Sequence, residues 1–138
     1  MSGHEIFTTD IDVRFRDIDA MGHVNNAVFF TYFEQGRVGF FHSASQEEKF
    51  PGFAFILAQI GCNYIKPVIL DDRLTLQIWV KEIGRKSFTF RYQLASRENP
   101  SNLYATAESV QVCFDYQTNT SMQVTETIRA QLSVYLEK

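Results

Sequence analysis

The sequence predicts an α+β domain in which a curved antiparallel sheet wraps one long central helix. Three observations predict it. A single apolar stretch, Asn25 to His42, is too long for one strand; about five other segments read as strands, most of them alternating apolar and polar residues; and the breaks between the later segments are short and turn-like. The chain has 138 residues, suited to one domain over residues 1–138, with no internal repeat, low-complexity tract or linker.

In chain order, residues 11–16 alternate Ile11, Val13 and Phe15 with Asp12, Arg14 and Arg16, the period of a half-buried strand. A polar loop through Asp17 to Gly22 follows. The segment NNAVFFTYFEQGRVGFFH is apolar almost all round, as expected of a helix enclosed by other structure. Asn25 or Asn26 can cap it with a side-chain oxygen. Gly36 and Gly39 each cost the helix up to about 1 kcal/mol, which makes sense if a sheet packs closely against that face. SASQEEKFPG ends the helix.

Residues 53–66 read as an apolar extended run. Leu74, Leu76, Ile78 and Val80 alternate, then Phe88, Phe90, Tyr92 and Leu94, then Val110, Val112 and Phe114. Breaks at Pro67–Asp72, Gly84–Lys86, Glu98–Asn102 and Gln117–Ser121 suit antiparallel hairpins. The tail TETIRAQLSVYLEK fits either a short helix or an extension of the last strand. One buried helix followed by such strands is solved by sheet and helix sharing a core, the hotdog arrangement. A sheet of this kind keeps open edges, so the sequence predicts a homodimer or homotetramer.

Composition narrows the function. Thirteen Phe, six Tyr and one Trp supply more aromatic surface than a small core needs, enough for a pocket or subunit interface as well. A net charge of -3 lacks the basic field that nucleic acids require, and no stretch reaches the roughly 18 apolar residues of a membrane span. Without a secretory start, the expectation is a cytoplasmic protein with neither nucleic acid nor membrane as partner. Cys62 and Cys113 read as core residues, and the scattered His4, His23 and His42 offer no metal site. No phosphate loop, dinucleotide fingerprint or nucleophile elbow is present, so no cofactor is expected.

Chemistry concentrates in RFRDIDAMGHVNN, where a strand passes through Asp17, Asp19, Gly22, His23, Asn25 and Asn26 into the start of the apolar helix. Free backbone N–H groups at a helix start carry partial positive charge and can polarise a carbonyl oxygen. With a carboxylate beside them they make a hydrolytic site. The same residues also fit a plain turn with helix caps.

RFRDIDAMGHVNNAVFFTYFEQGR resembles the helix-start signature of the 4-hydroxybenzoyl-CoA thioesterase-like family of hotdog proteins. Tyr64-x-x-Pro67, the Asp71-Asp72-x-Leu74 turn and Arg85-Lys86-Ser87-Phe88 follow in that family's order, so the resemblance covers nearly the whole chain. It implies an acyl-CoA thioesterase, a thioester hydrolase, in which Asp19 is the central carboxylate, as nucleophile or as base. It also implies an oxyanion donor at the backbone N–H of Asn26. His-Val-Asn-Asn departs from the benzoyl-type members and looks more like plant fatty acyl carrier protein thioesterases, where His23 acts directly or shapes the loop. A thiol leaves readily, its intrinsic pKa being about 8.5, so one carboxylate can suffice.

Arg85 and Lys86 match the family's basic residues at the nucleotide end of coenzyme A, and Phe29, Phe30 and Phe33 are candidates for the acyl pocket. Glu34, on the helix, is the rival carboxylate, otherwise paired with Arg37 or facing a partner; Asp17 braces the loop. Two further readings share this pattern: an acyl-acyl carrier protein thioesterase, and a hotdog protein that binds acyl-CoA without hydrolysing it.

Overall fold

The computed structural model describes residues 3–45 and 55–138. Strand β1 (Phe7–Asp12) leads through a 3-10 turn at Phe15–Asp17 into helix α1 (Val28–Ser45). Strands β2 (Phe55–Tyr64), β3 (Arg73–Ile83), β4 (Ser87–Ser96) and β5 (Leu103–Asp115) follow, then the two-residue β6 (Thr120–Ser121) and helix α2 (Glu126–Ser133). All strand pairs are antiparallel, in the order β1-β3-β4-β5-β2, with β6 on the end of β5. The sheet and the long helix form the expected hotdog architecture. The start of the expected extended run, residues 53 and 54, and the helix-ending residues 46–52 lie outside the described residues.

Three sequence expectations need correction or completion. The first strand runs over 7–12 rather than 11–16. Ile11 is buried as expected, but Phe15 is 82% exposed. The reason is Asp17, whose carboxylate accepts from the Arg14 N–H (2.9 Å) while its own N–H donates to the Arg14 carbonyl (2.9 Å). This side-chain bond closes a turn where the alternation alone would continue a strand.

On β5 the apolar alternation points away from α1. The residues buried against the helix are Ala105, Ala107, Ser109, Gln111 and Cys113, while Val110, Val112 and Phe114 are only half-buried. Small residues there leave room for the rings opposite: Phe40 packs on Phe90 (4.8 Å between centroids), Phe33 on Tyr92 (5.0 Å) and Phe41 on Phe55 (4.5 Å). The tail forms a helix, capped by the Thr125 side chain accepting from the Ile128 N–H (3.2 Å), and buries Ile128 and Leu132.

The core also holds a polar chain. Arg37, 8% exposed, donates to the Tyr92 hydroxyl (3.1 Å), which bonds Ser109; Ser109 bonds Gln111, whose amide donates to the Phe88 carbonyl (3.2 Å). No buried side-chain polar atom among the described residues is left without a partner, so this chain avoids the desolvation penalty of orphaned groups.

Gly36 explains how the helix seats. A Cβ built there would stand 2.7 Å from Ile78 Cδ1 and closer still to Leu76 Cδ2. Gly36→Ala should therefore cost about 1–3 kcal/mol through overpacking and lower the thermal midpoint by several degrees. A melting curve of the purified variant that superimposes on the wild-type curve would refute this account of the helix–sheet contact.

Candidate active site

Between β1 and α1 the chain makes a miniature hairpin. Ile18 and Val24 form an antiparallel bridge, and the Asp19 N–H donates to the His23 carbonyl (2.8 Å). The Gly22 N–H donates to the Asp19 carbonyl (3.0 Å), and Gly22 takes φ +82°, a conformation that glycine adopts at little cost. Two backbone bonds tie this loop down: Val24 N–H to the Val68 carbonyl (2.8 Å), distant in sequence, and Asn25 N–H to the Asp17 carbonyl (2.8 Å), across the loop. Asp17 also accepts from the Tyr32 hydroxyl of α1 (2.7 Å), so it braces the loop against the helix.

The two oxygens of Asp19 have different duties. Oδ1 accepts from the N–H groups of Met21 (2.8 Å) and His23 (3.3 Å), which fixes the carboxylate's orientation. Oδ2 has no hydrogen-bond partner among the described residues. Asp19 lines a cavity of about 360 Å³ together with His23, Asn26, Phe29, Tyr64 and Lys66.

At the helix mouth two N–H groups are committed to Asn25. Ala27 donates to Asn25 Oδ1 (2.8 Å) and Val28 to the Asn25 carbonyl (2.9 Å), so Asn25 is the residue that caps α1. The Asn26 N–H makes no hydrogen bond among the described residues, which leaves it as an available donor. The Asn26 carbonyl accepts from the Tyr64 hydroxyl (2.7 Å).

The candidates from the sequence divide into groups. Asp19, His23, Asn26 and Phe29 meet at the cavity. Phe33 is fully buried against Tyr92 and is not among the cavity's lining residues. Phe30 is half-buried and packs on Phe33.

Glu34 is exposed, on a separate groove with Asp10, Asp12 and Arg14, and Arg37 turns to Tyr92 instead of pairing with it. Arg85 and Lys86 are exposed in the β3–β4 turn, with the Lys86 ammonium 3.4 Å from Ser121 Oγ. That turn and the Asp19 loop lie at opposite ends of β3 and β4; ten residues of β4 at about 3.3 Å each separate them by roughly 30 Å. A single protomer does not bring them together.

Tyr64 and Lys66 line the cavity without having been assigned a role from sequence. Tyr64 stood within the Tyr64-x-x-Pro67 resemblance, but only the packing of β2 beside the helix start reveals what its hydroxyl reaches. Among the described residues, no group of three or more His, Cys, Asp or Glu side chains is arranged to hold a metal ion, and no helix is long and apolar enough to cross a membrane.

Residues 13–132 match the model of the thioesterase-like superfamily. The chain is 30% identical over 126 residues to the long-chain acyl-CoA thioesterase FadM of Escherichia coli, covering 90% of this chain and 95% of that one. A solved structure of a thioesterase complexed with coenzyme A and Zn, from Thermus thermophilus, superimposes with a TM-score of 0.81 at 28% identity, over 96% of this chain and 94% of that chain. The uncharacterized protein YsmA of Bacillus subtilis is 28% identical over 86 residues, which cover 62% of this chain. The chain spans 58% and 65% of the length of two of the curated relatives it matches, YsmA being the first of these.

The brace between Asp17 and Tyr32 has a pH signature. Burial first, then the hydrogen bond to Asp17 and its negative charge, raise the Tyr32 phenol far above its ordinary value. The folded chain keeps a proton that the unfolded chain releases near about pH 10, so this contribution to stability is intact below that pH and declines above it. Tyr32→Phe should cost about 1–3 kcal/mol at neutral pH. It should also lose less stability than wild type between neutral and alkaline urea titrations; parallel pH profiles for the two proteins would contradict the assignment.

Proposed function

The chain belongs to the thioesterase-like superfamily; from that premise we propose that it is a thioester hydrolase that cleaves acyl-coenzyme A thioesters in the Asp19 cavity. The observation that carries this reading is the pairing of an anchored carboxylate, with one oxygen uncommitted, and an available N–H at the start of α1 on the same cavity.

In this reading the thioester carbonyl points its oxygen at the Asn26 N–H, and Asp19 Oδ2 either attacks the carbonyl carbon or takes a proton from the attacking water. Both routes form a tetrahedral oxyanion, and a helix-start N–H stabilises that charge more than the neutral carbonyl, which is what lowers the barrier. Collapse breaks the C–S bond and expels the thiolate. Along the nucleophilic route, an Asp19 acyl anhydride is left for water to hydrolyse. The His23 ring, on the same cavity wall, is suited to orient that water, and Phe29 gives the acyl group an apolar contact.

Arg85 and Lys86 fit the same picture only through a second copy of the chain. Among the described residues, strand β2 is an edge, hydrogen-bonded within the sheet to β5 alone, and exposes Ile56, Leu57 and Tyr64. Its start, Phe55, lies opposite Cys113, whose N–H donates to the Lys86 carbonyl (2.9 Å); its end, Tyr64, reaches Asn26. Antiparallel pairing of two β2 edges about a two-fold axis would bring the Lys86 turn of one copy beside the helix mouth of the other. The dimer would then complete each site, with Arg85 and Lys86 of one copy meeting the phosphates of a coenzyme A seated in the other.

Purified protein should release free thiol from acyl-CoA esters, and Asp19→Asn should lose about 10²- to 10⁴-fold in kcat; undiminished turnover in that variant would sink the assignment. The double variant Arg85→Ala/Lys86→Ala should raise KM for CoA esters roughly tenfold, about 1.4 kcal/mol. The same acyl group on N-acetylcysteamine, which has no nucleotide, should show no such change. Equal effects on both substrates would remove these residues from phosphate recognition.

A further inference from the structure

We infer that Tyr64 is a positioning residue for the oxyanion donor: its hydroxyl, 2.7 Å from the Asn26 carbonyl, pins the residue that bears the donor by holding the peptide group that follows the Asn26 N–H. The inference deepens the thioesterase reading and rests on it.

The Asn26 N–H lies in the Asn25–Asn26 peptide plane, which joins the Asn26–Ala27 plane at the Asn26 Cα, so holding both planes limits the rotations that would swing that N–H. On one side of Asn26, the Asn25–Asn26 plane is held through its oxygen, which accepts from the Val28 N–H (2.9 Å). On the other, the Asn26–Ala27 plane is gripped at both ends: Asn25 Oδ1 takes the Ala27 N–H (2.8 Å) and the Tyr64 hydroxyl donates to the Asn26 oxygen. Two of these three bonds come from within the capping turn. Of the three, the Tyr64 bond comes from outside, reaching from the last residue of β2, a strand distant in sequence and bound into the sheet.

The ring is itself located by an edge-to-face contact with Phe29, the second residue of α1 (centroids 4.9 Å apart, 79° between planes). Aromatic contact sets where the hydroxyl lies, and the hydroxyl sets the peptide. Tyr64 is 45% exposed, so water could satisfy the Asn26 carbonyl in its place. The bond therefore adds direction more than stability, which is what a pre-aligned transition-state donor requires.

Tyr64→Phe separates the two roles, because it keeps the ring on Phe29 and removes only the oxygen. Complete loss of one oxyanion donor costs about 10²- to 10³-fold, and a donor that remains but wanders should cost less, about tenfold in kcat. KM for the same acyl-CoA should stay within about twofold, and the thermal midpoint should stay at the wild-type value. In unliganded protein, the backbone order parameter of the Asn26 N–H should fall below the value of about 0.85 typical of rigid backbone.

An unchanged kcat in active protein would overturn the inference, as would an Asn26 order parameter equal to wild type. A raised KM with unchanged kcat would also overturn it, since Tyr64 would then be a substrate contact only. A wild-type protein that releases no thiol from any acyl-CoA defeats the thioesterase reading instead, and the order parameter still decides what Tyr64 does to Asn26.

Discussion

Helix α1 lies on the sheet as closely as it does because position 36 carries no side chain. Leu76 and Ile78 of β3 fill the space where a Cβ would stand, and the helix is seated over them. That depth has consequences along the whole helix. Phe33, Phe40 and Phe41 reach the rings of β4, small residues of β5 make room for them, and the helix start is held at the level of the loop that bears Asp19. The depth of packing is thus a condition of the site as well as of the core.

At the helix start, hydrogen bonds sort atoms into those that hold the loop and those left open for a ligand. Asp17 spends its carboxylate on Arg14 and Tyr32; Asn25 caps the helix; Asp19 commits one oxygen to its own turn and leaves the other. The Asn26 N–H has no hydrogen-bond partner among the described residues. In the proposed reaction, a carboxylate and an N–H held in place beforehand would need little rearrangement as charge develops on a substrate oxygen, which is the physical advantage of a preorganised site. Burying neither group deeply keeps both accessible from one cavity.

The edge strand connects this site to assembly. Strand β2 pairs with β5 on one side, carries exposed apolar side chains, and ends at the tyrosine that touches the helix mouth. In the proposed dimer, the antiparallel two-fold and the roughly 30 Å length of the strands account together for a basic turn so far from the carboxylate of its own chain. A protein of net charge -3 would then meet an anionic carrier through a local contact supplied by its neighbour.

Much of this was legible in the chain order. Period-2 alternation marked β3 and β4, the all-round apolar run marked α1, and Gly36 within that run signalled a close approach; the Asp17 to Asn26 loop stood out because polar residues crowd one helix start. These features come from neighbours in sequence, so one chain read alone contains them. What the tertiary structure decided depends on partners far apart: the strand that ends early because Asp17 closes a turn and is braced by Tyr32, the face of β5 chosen by the rings of α1, the pairing of Arg37 with Tyr92 in place of Glu34, and the reach of Tyr64 to Asn26. Alternation sets a period but not which face is buried, and motif spacing says nothing of a hydroxyl arriving from 38 residues away. The carboxylate and its loop were determined by the sequence itself; the contact of a β2 tyrosine with the helix start beside them was decided by packing.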